Sequence, residues 1–281
     1  MRNLIFAIFI SFTFTLGAHS AYLFKNQGLQ EWYQKLHNFE DVDLDSPLLK
    51  DCNESDRQFA MMQYHWQAML RGDQDTTHYN TLKRLSKQSL PEDFSRDQQL
   101  LNKVLSSFFL ARASSLKGES LSSLSSYLGA SEAMESLMSL KTKGEEVRLL
   151  STIYSLGYQE FSSNPLYWTI SAWLPKPKQQ AKKKDLIEFT SSSSTIISAE
   201  ASYYAYRMYW EKDADLAQKH LQSLIRRFPR NWIYRLEYYK SFGRKTKEGD
   251  KLKKELLTAL ETAAYLSKKE KKHFTEVLNS L

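Results

Sequence analysis

The sequence predicts an all-α protein, an α-solenoid in which antiparallel helical hairpins stack one on the next. Three observations predict it. Glycine and proline are scarce, 9 and 6 of 281 residues, whereas sandwiches, propellers and glycine-loop nucleotide folds need many residues that accept positive φ or fix φ. Apolar residues recur at three- and four-residue spacing along most of the chain, and no segment sustains the alternation of a strand. Helical segments and short breaks succeed one another, as expected of units that cannot bury an apolar face alone. Hydrophobic residues make up 42% of the chain and aromatic residues 13%, enough for a large core.

In chain order, residues 1–20 read as a secretory signal peptide. Arg2 supplies the positive start, residues 4–14 the apolar run, and Ala18 and Ser20 the small residues before a cut ahead of Ala21. The competing reading is an uncleaved anchor, because no charge falls between Asn3 and Phe24. Beyond the leader no stretch is apolar for the length of a membrane span, so no transmembrane segment is expected after cleavage.

Residues 28–39 place Leu29, Trp32, Tyr33, Leu36 and Phe39 on helical spacing, and an acidic loop follows over 40–47. Asn53 or Ser55 can cap the next helix, whose band Phe59, Met62, Tyr64, Trp66, Met69 and Leu70 ends at Gly72. A shorter helix is expected over 76–88. Pro91 suits the first turn of a long one reaching Lys117, with Leu101, Val104, Leu105, Phe108 and Phe109 in its stripe. Gly118 and Gly144 flank a serine-rich helix over 121–140. Glu145 and Glu146 suit the next helix N-terminus electrostatically, and that helix runs to about Phe161. Residues 166–174 form a short element after Pro165 and before Pro175. The basic stretch 176–184 leads into a helix ending at Phe189. Helices over 198–210, 213–228, 231–243, 247–266 and 268–281 complete a count of about 11–13.

Residues 198–229, SAEASYYAYRMYWEKDADLAQKHLQSLIRRFP, carry the most specific pattern. With Pro229 closing the second helix, Ala205 and Ala217 fall where two helices cross, Leu221 on an apolar position, Met208 before the turn and 212–215 in it. Close antiparallel approach requires a small residue facing a large one, and this segment resembles a tetratricopeptide repeat, a helix–turn–helix unit of about 34 residues. Leu224 and Ala201 depart from the pattern. A weaker unit starts at Trp232. The resemblance implies a right-handed superhelix with a degenerate hairpin region over 21–190 and a repeat-like region over 191–281, as one continuous solenoid.

Catalytic motifs are missing. There is no His-Glu-x-x-His, no Gly-x-Ser-x-Gly, no phosphate-binding loop and no cysteine pair. No two of the six histidines lie within four residues of each other. Asp41, Asp43 and Asp45 alternate like the start of a calcium loop, but Ser46 and Cys52 stand where glycine and glutamate are required, so a solvated loop is expected. Glu92, Asp93 and Asp97 read as charges at the start of a helix. Cys52, alone in the chain, cannot form an intramolecular disulfide, and nothing beside it would activate a thiolate. Neither cofactor nor metal is expected.

An aromatic, arginine-rich district remains. Tyr203, Tyr204, Tyr206, Tyr209 and Trp210 crowd one helix, Trp232, Tyr234, Tyr238 and Tyr239 another, with Arg226, Arg227, Arg230 and Arg235 among them. Tyr, Trp and Arg are enriched at binding hot spots. Tyr203, Tyr206, Arg226, Arg230 and Tyr234 are therefore expected to line a concave partner-binding groove, against the simpler expectation of core packing. Net charge is −3 over residues 21–150 and +9 over 151–281. The expected function is a non-catalytic scaffold, exported to the periplasm or medium, that binds a protein or peptide. Alternatives are an envelope-surface protein holding an anionic polymer or lipid head group through its basic half, and a wall-polymer hydrolase on a helical scaffold. Nucleic acid is not an expected partner of an exported chain.

Overall fold

Each helix leaves its first N–H groups without an intrahelical partner, and short polar side chains supply one. In the computed structural model, which describes residues 24–73, 75–140, 144–163, 176–177 and 180–281, this sets most helix starts. Asn26 opens α1 (Gln27–His37), and Asn53, not Ser55, opens α2 (Glu54–Leu70) by accepting from Asp56 N at 2.9 Å. Asp75 opens α3 (Thr76–Leu85). Next come α4 (Arg96–Leu116), α5 (Ser120–Ser139), α6 (Glu145–Ser163) and α7 (Lys183–Phe189). Ser194 opens α8 (Thr195–Tyr209), Asp213 α9 (Ala214–Arg227) and Asn231 α10 (Trp232–Ser241). α11 (Gly249–Thr262) follows, and a Ser267–Glu270 capping box starts α12 (Lys268–Ser280). The described residues thus hold twelve α-helices and no strand. No described helix is long and apolar enough to cross a membrane. The leader and the element at 166–174 lie outside the described residues.

Several boundaries differ from expectation. α4 begins at Arg96, beyond Pro91, because Gln98 Oε1 accepts from Ser95 N at 3.2 Å and from Ser95 Oγ at 2.8 Å. Pro91 instead accepts the turn bond from Phe94 N. α3 ends three residues before Gln88, and α11 is shorter at both ends than the apolar pattern suggested.

The core has three parts. The largest joins α1–α6 with α8, α9 and Tyr234; a second joins α6, α7 and α8; a third joins α10, α11 and α12 around Phe39. Trp32, Trp66 and Trp232 are almost wholly buried, and Trp32 Nε1 donates to Asp43 O at 2.7 Å, pinning the acidic loop. In the repeat-like segment Ala205, Ala217 and Leu221 are all 0% exposed, with α8 packed on α9.

Contacts also run between the two ends of the chain. Tyr33 Oη donates to Glu200 Oε1 at 2.7 Å, Gln34 Nε2 to Arg227 O at 2.9 Å and Asn231 Nδ2 to His37 O at 2.7 Å. Arg71 pairs with Glu270, and Lys269 meets Asp73 at 2.7 Å. Units of a linear stack contact only their sequence neighbours; here α1 also touches α8 and α10, and the α2–α3 turn touches α12. These ties bring the walls of the candidate site together.

Asn231 serves two of these duties, since its Oδ1 also caps α10 through Tyr234 N at 3.2 Å. Asn231→Ala is expected to cost about 2 kcal/mol in thermal unfolding, combining a lost cap with an orphaned carbonyl. Asn231→Ser, which keeps only the cap, should recover roughly half of that. Equal losses for the two variants would contradict the tie to His37.

Candidate functional site

The closure of the chain leaves a cavity of about 710 Å³ between α2–α4 on one side and α8, α10 and α12 on the other. Helical spacing explains how each element reaches it. On α2, Gln63, Trp66, Gln67 and Leu70 follow an i, i+3, i+4, i+7 pattern and line it together. Glu200 and Tyr203 on α8, Tyr234 and Glu237 on α10, and His273 and Val277 on α12 are paired at three or four residues. Asp75, Thr76 and Lys117 line it while exposed, which places its opening at the start of α3 and the end of α4.

Arg112 on α4 is the central polar group. It is 8% exposed, and its guanidinium carbon sits 4.2 Å above the Trp66 ring and 5.4 Å from the Phe109 ring. Cation–π contact of this kind fixes the plane of the guanidinium. Its Nε has no hydrogen-bond partner among the described residues, nor do the buried Nε2 of Gln63 and Oε1 of Gln67. Buried polar atoms are normally satisfied, so three orphans lining one cavity call for an explanation.

His37 engages the opposite ends of the two amides and leaves the orphaned atoms unmet. Its Nε2 lies 3.4 Å from Gln63 Oε1 and 3.3 Å from Gln67 Nε2. A ring nitrogen either donates or accepts, so it satisfies only one of those two amides at a time. Stacked on Tyr33 at 3.9 Å between centroids, His37 is pushed by burial down to about 3 and is neutral.

Two carboxyls line the cavity with opposite behaviour. Burial pushes Glu200 up to about 7, against the pull of Arg112 and the Tyr33 hydrogen bond. Burial would also raise Glu237, but Lys240 at 3.1 Å, Arg207 at 3.6 Å and the Tyr206 hydroxyl at 2.9 Å outweigh it and hold it below the usual range. Near the opening Asp73 is held at about 2, chiefly by its bond to Lys269. Arg112 is thus a buried cation that makes no ion pair among the described residues. One anchored cation and an unpartnered amide donor facing the same space have the chemistry to receive an anion.

The expected groove residues divide. Tyr203 and Tyr234 line the cavity. Tyr206 lies behind it, fully buried, bonded to Glu237 and to Ser241 at 2.7 Å. Arg230 is exposed beside a second, open hollow, with its guanidinium 5.2 Å from the Tyr265 ring. Arg226 is exposed on α9 and borders neither space. The five are thus divided: α8 turns Tyr206 into the core, while Arg226 at the end of α9 and Arg230 in the turn after it face solvent.

Arg112, Gln63, Gln67 and Glu200 escaped sequence reasoning. The available signal was a polar residue at a position of an apolar stripe, as in Gln63-x-x-Trp66-Gln67-x-x-Leu70. Elsewhere, Cys52 is buried, and burial pushes its thiol up to about 11, which suppresses the thiolate. His65 and His78, distant in sequence, meet at 2.8 Å between Nδ1 atoms, and His78 also contacts Asp73. No cluster of three or more metal-ligating side chains occurs among the described residues. Compared with protein-family models, curated proteins and solved structures, the chain matches none.

Proposed function

We propose that the chain is an exported, non-catalytic helical binding protein of the cell envelope, and that the cavity around Arg112 receives its ligand. One observation carries this reading: a cavity of about 710 Å³ lined by buried Arg112, Gln63 and Gln67 atoms that have no partner among the described residues. Ligand pockets of about 300–1,000 Å³ with apolar walls and a few placed polar groups are the usual binding architecture. The proposal keeps a tetratricopeptide-like hairpin at α8–α9 and relocates the site from an open Tyr–Arg groove to the cavity beside it.

The test is to purify the full chain from the envelope fraction and identify co-purifying molecules by native mass spectrometry. Val277→Trp, which fills the cavity from α12, should retain the helical circular dichroism signal and lose the bound species. Identical bound species in both proteins would refute the reading. Recovery of the chain from the cytosol with residues 1–20 still attached would refute the export component.

The hydrolase alternative has one observation in its favour, two carboxyls of unlike acidity lining the same cavity, Glu200 and Glu237. Against it, Glu237 is already engaged by Tyr206, Arg207 and Lys240. Release of fragments from cell-wall glycan by the native chain but not by Glu200→Gln would transfer the assignment to an enzyme.

A further inference from the structure

We infer that the cavity takes a hydrocarbon monocarboxylate, a ligand of fatty-acid type, with its carboxylate on Arg112. This rests on the cavity being the binding site and names the ligand class.

Charge selects a monoanion. Among the described residues the cavity offers one buried cation without an ion pair, Arg112; Glu200, which feels its pull, is pushed up by burial to about 7, Glu237 is already neutralised by Lys240 and Arg207, and His37 is neutral. A dianionic phosphate bound at Arg112 would bring a second charge beside Glu200, and the further lining cation, Lys117, stands exposed at the opening; burying an unmatched charge is costly. Geometry selects a carboxylate. The guanidinium is planar, is held by Trp66 and offers the fork that two carboxylate oxygens match. Gln63 Nε2 is a further buried donor, without a partner among the described residues, and Gln63 lines the same space. Beside the polar residues of the lining, of which Asp75, Thr76 and Lys117 stand exposed at the opening, one apolar stretch of wall selects a hydrocarbon body. Met69, Leu70, Leu116, Ile233, Leu236 and Val277 supply carbon surface and no hydrogen-bonding side-chain group. A peptide body would bury amide groups against them without partners, whereas an alkyl chain would not.

The test is calorimetric titration of the full chain, freed of bound lipid, with sodium dodecanoate, dodecanol, dodecyl phosphate, and an all-leucine tripeptide with a free C-terminus. Dodecanoate is expected to bind tightest at one per chain. Arg112→Gln should weaken it about 30-fold, the worth of a charged hydrogen-bonded contact, while leaving dodecanol unchanged. If Arg112→Gln does not fold by circular dichroism, Gln63→Leu keeps the cation, removes the second donor and should weaken dodecanoate about tenfold. Equal affinity for dodecanol, tighter binding of dodecyl phosphate or of the tripeptide, or full dodecanoate affinity in the folded variant would overturn the inference. Should no probe bind while Val277→Trp still strips the co-purifying species, the carboxylate assignment fails and the cavity remains the binding site. If Val277→Trp strips nothing, both fail.

Discussion

Glu146→Gln is expected to be more stable than the native chain near neutral pH by about 3 kcal/mol. Glu146 lies in the first turn of α6, where a carboxylate would ordinarily be favoured by the helix dipole. It is instead 0% exposed, and both carboxylate oxygens lack hydrogen-bond partners among the described residues. Burial pushes it up to about 9, with Glu145 and Asp97 adding to the effect and Lys25 opposing it. The folded chain therefore holds a proton that the unfolded chain, with a carboxyl near 4.3, releases. Stability is highest below about pH 4.3, declines as pH rises, and has lost its full share above about pH 9. The glutamine variant removes that slope. Thermal unfolding near pH 7.5 should show the variant melting on the order of 5–10 °C higher, with the gap closing near pH 4. Parallel pH profiles for the two proteins would mean that Glu146 is ionised and paired in the fold.

Gly72→Ala is expected to destabilise by about 3 kcal/mol and to disturb the cavity. Gly72 terminates α2 with φ +84°, a region that costs an L-residue roughly 1–2 kcal/mol. A Cβ there would also overlap the His273 ring on α12. Both residues line the cavity, and the neighbouring Arg71–Glu270 and Asp73–Lys269 pairs hold α12 against the same turn. Gly118 is the control: its φ is +78° but a Cβ would meet nothing within 4 Å. Gly118→Ala should therefore show the backbone cost alone, about 1 kcal/mol. Adding His273→Ala to Gly72→Ala should return the steric part of the loss, a coupling that a double-mutant cycle reads directly. Equal costs at the two glycines would remove the argument that Gly72 sets the distance between α2 and α12.

Much of the helical layout is legible in the sequence because its causes are local. Asn53, Asp75, Ser194, Asp213 and Asn231 stand at helix starts and act there as caps. Gly72 and Gly118 stand at helix ends and adopt positive φ. Trp32, Phe59, Leu105 and Phe109 lie on apolar stripes and are buried. The failures share a cause as well. Pro91 yielded to a competing cap one turn later, and Glu146, which does stand in the first turn of α6 as expected, is drawn into the interior by packing. Tyr206 carries residue chemistry suited to an interface, yet its helix face turns inward. Residue type alone does not distinguish the two faces of an aromatic helix.

By itself the sequence determined an all-α chain, most of its helices and breaks, and a close hairpin within residues 198–229, since helical periodicity, capping and small-residue crossings each act over a few residues. Only the tertiary structure decided that the two ends of the chain meet, that Arg112 lies beside Glu200, Tyr203 and Tyr234, and that a cavity remains between them. Tyr33 and Glu200 are 167 positions apart. A contact at that separation leaves no periodic trace in either segment, because it depends on how whole helices pack.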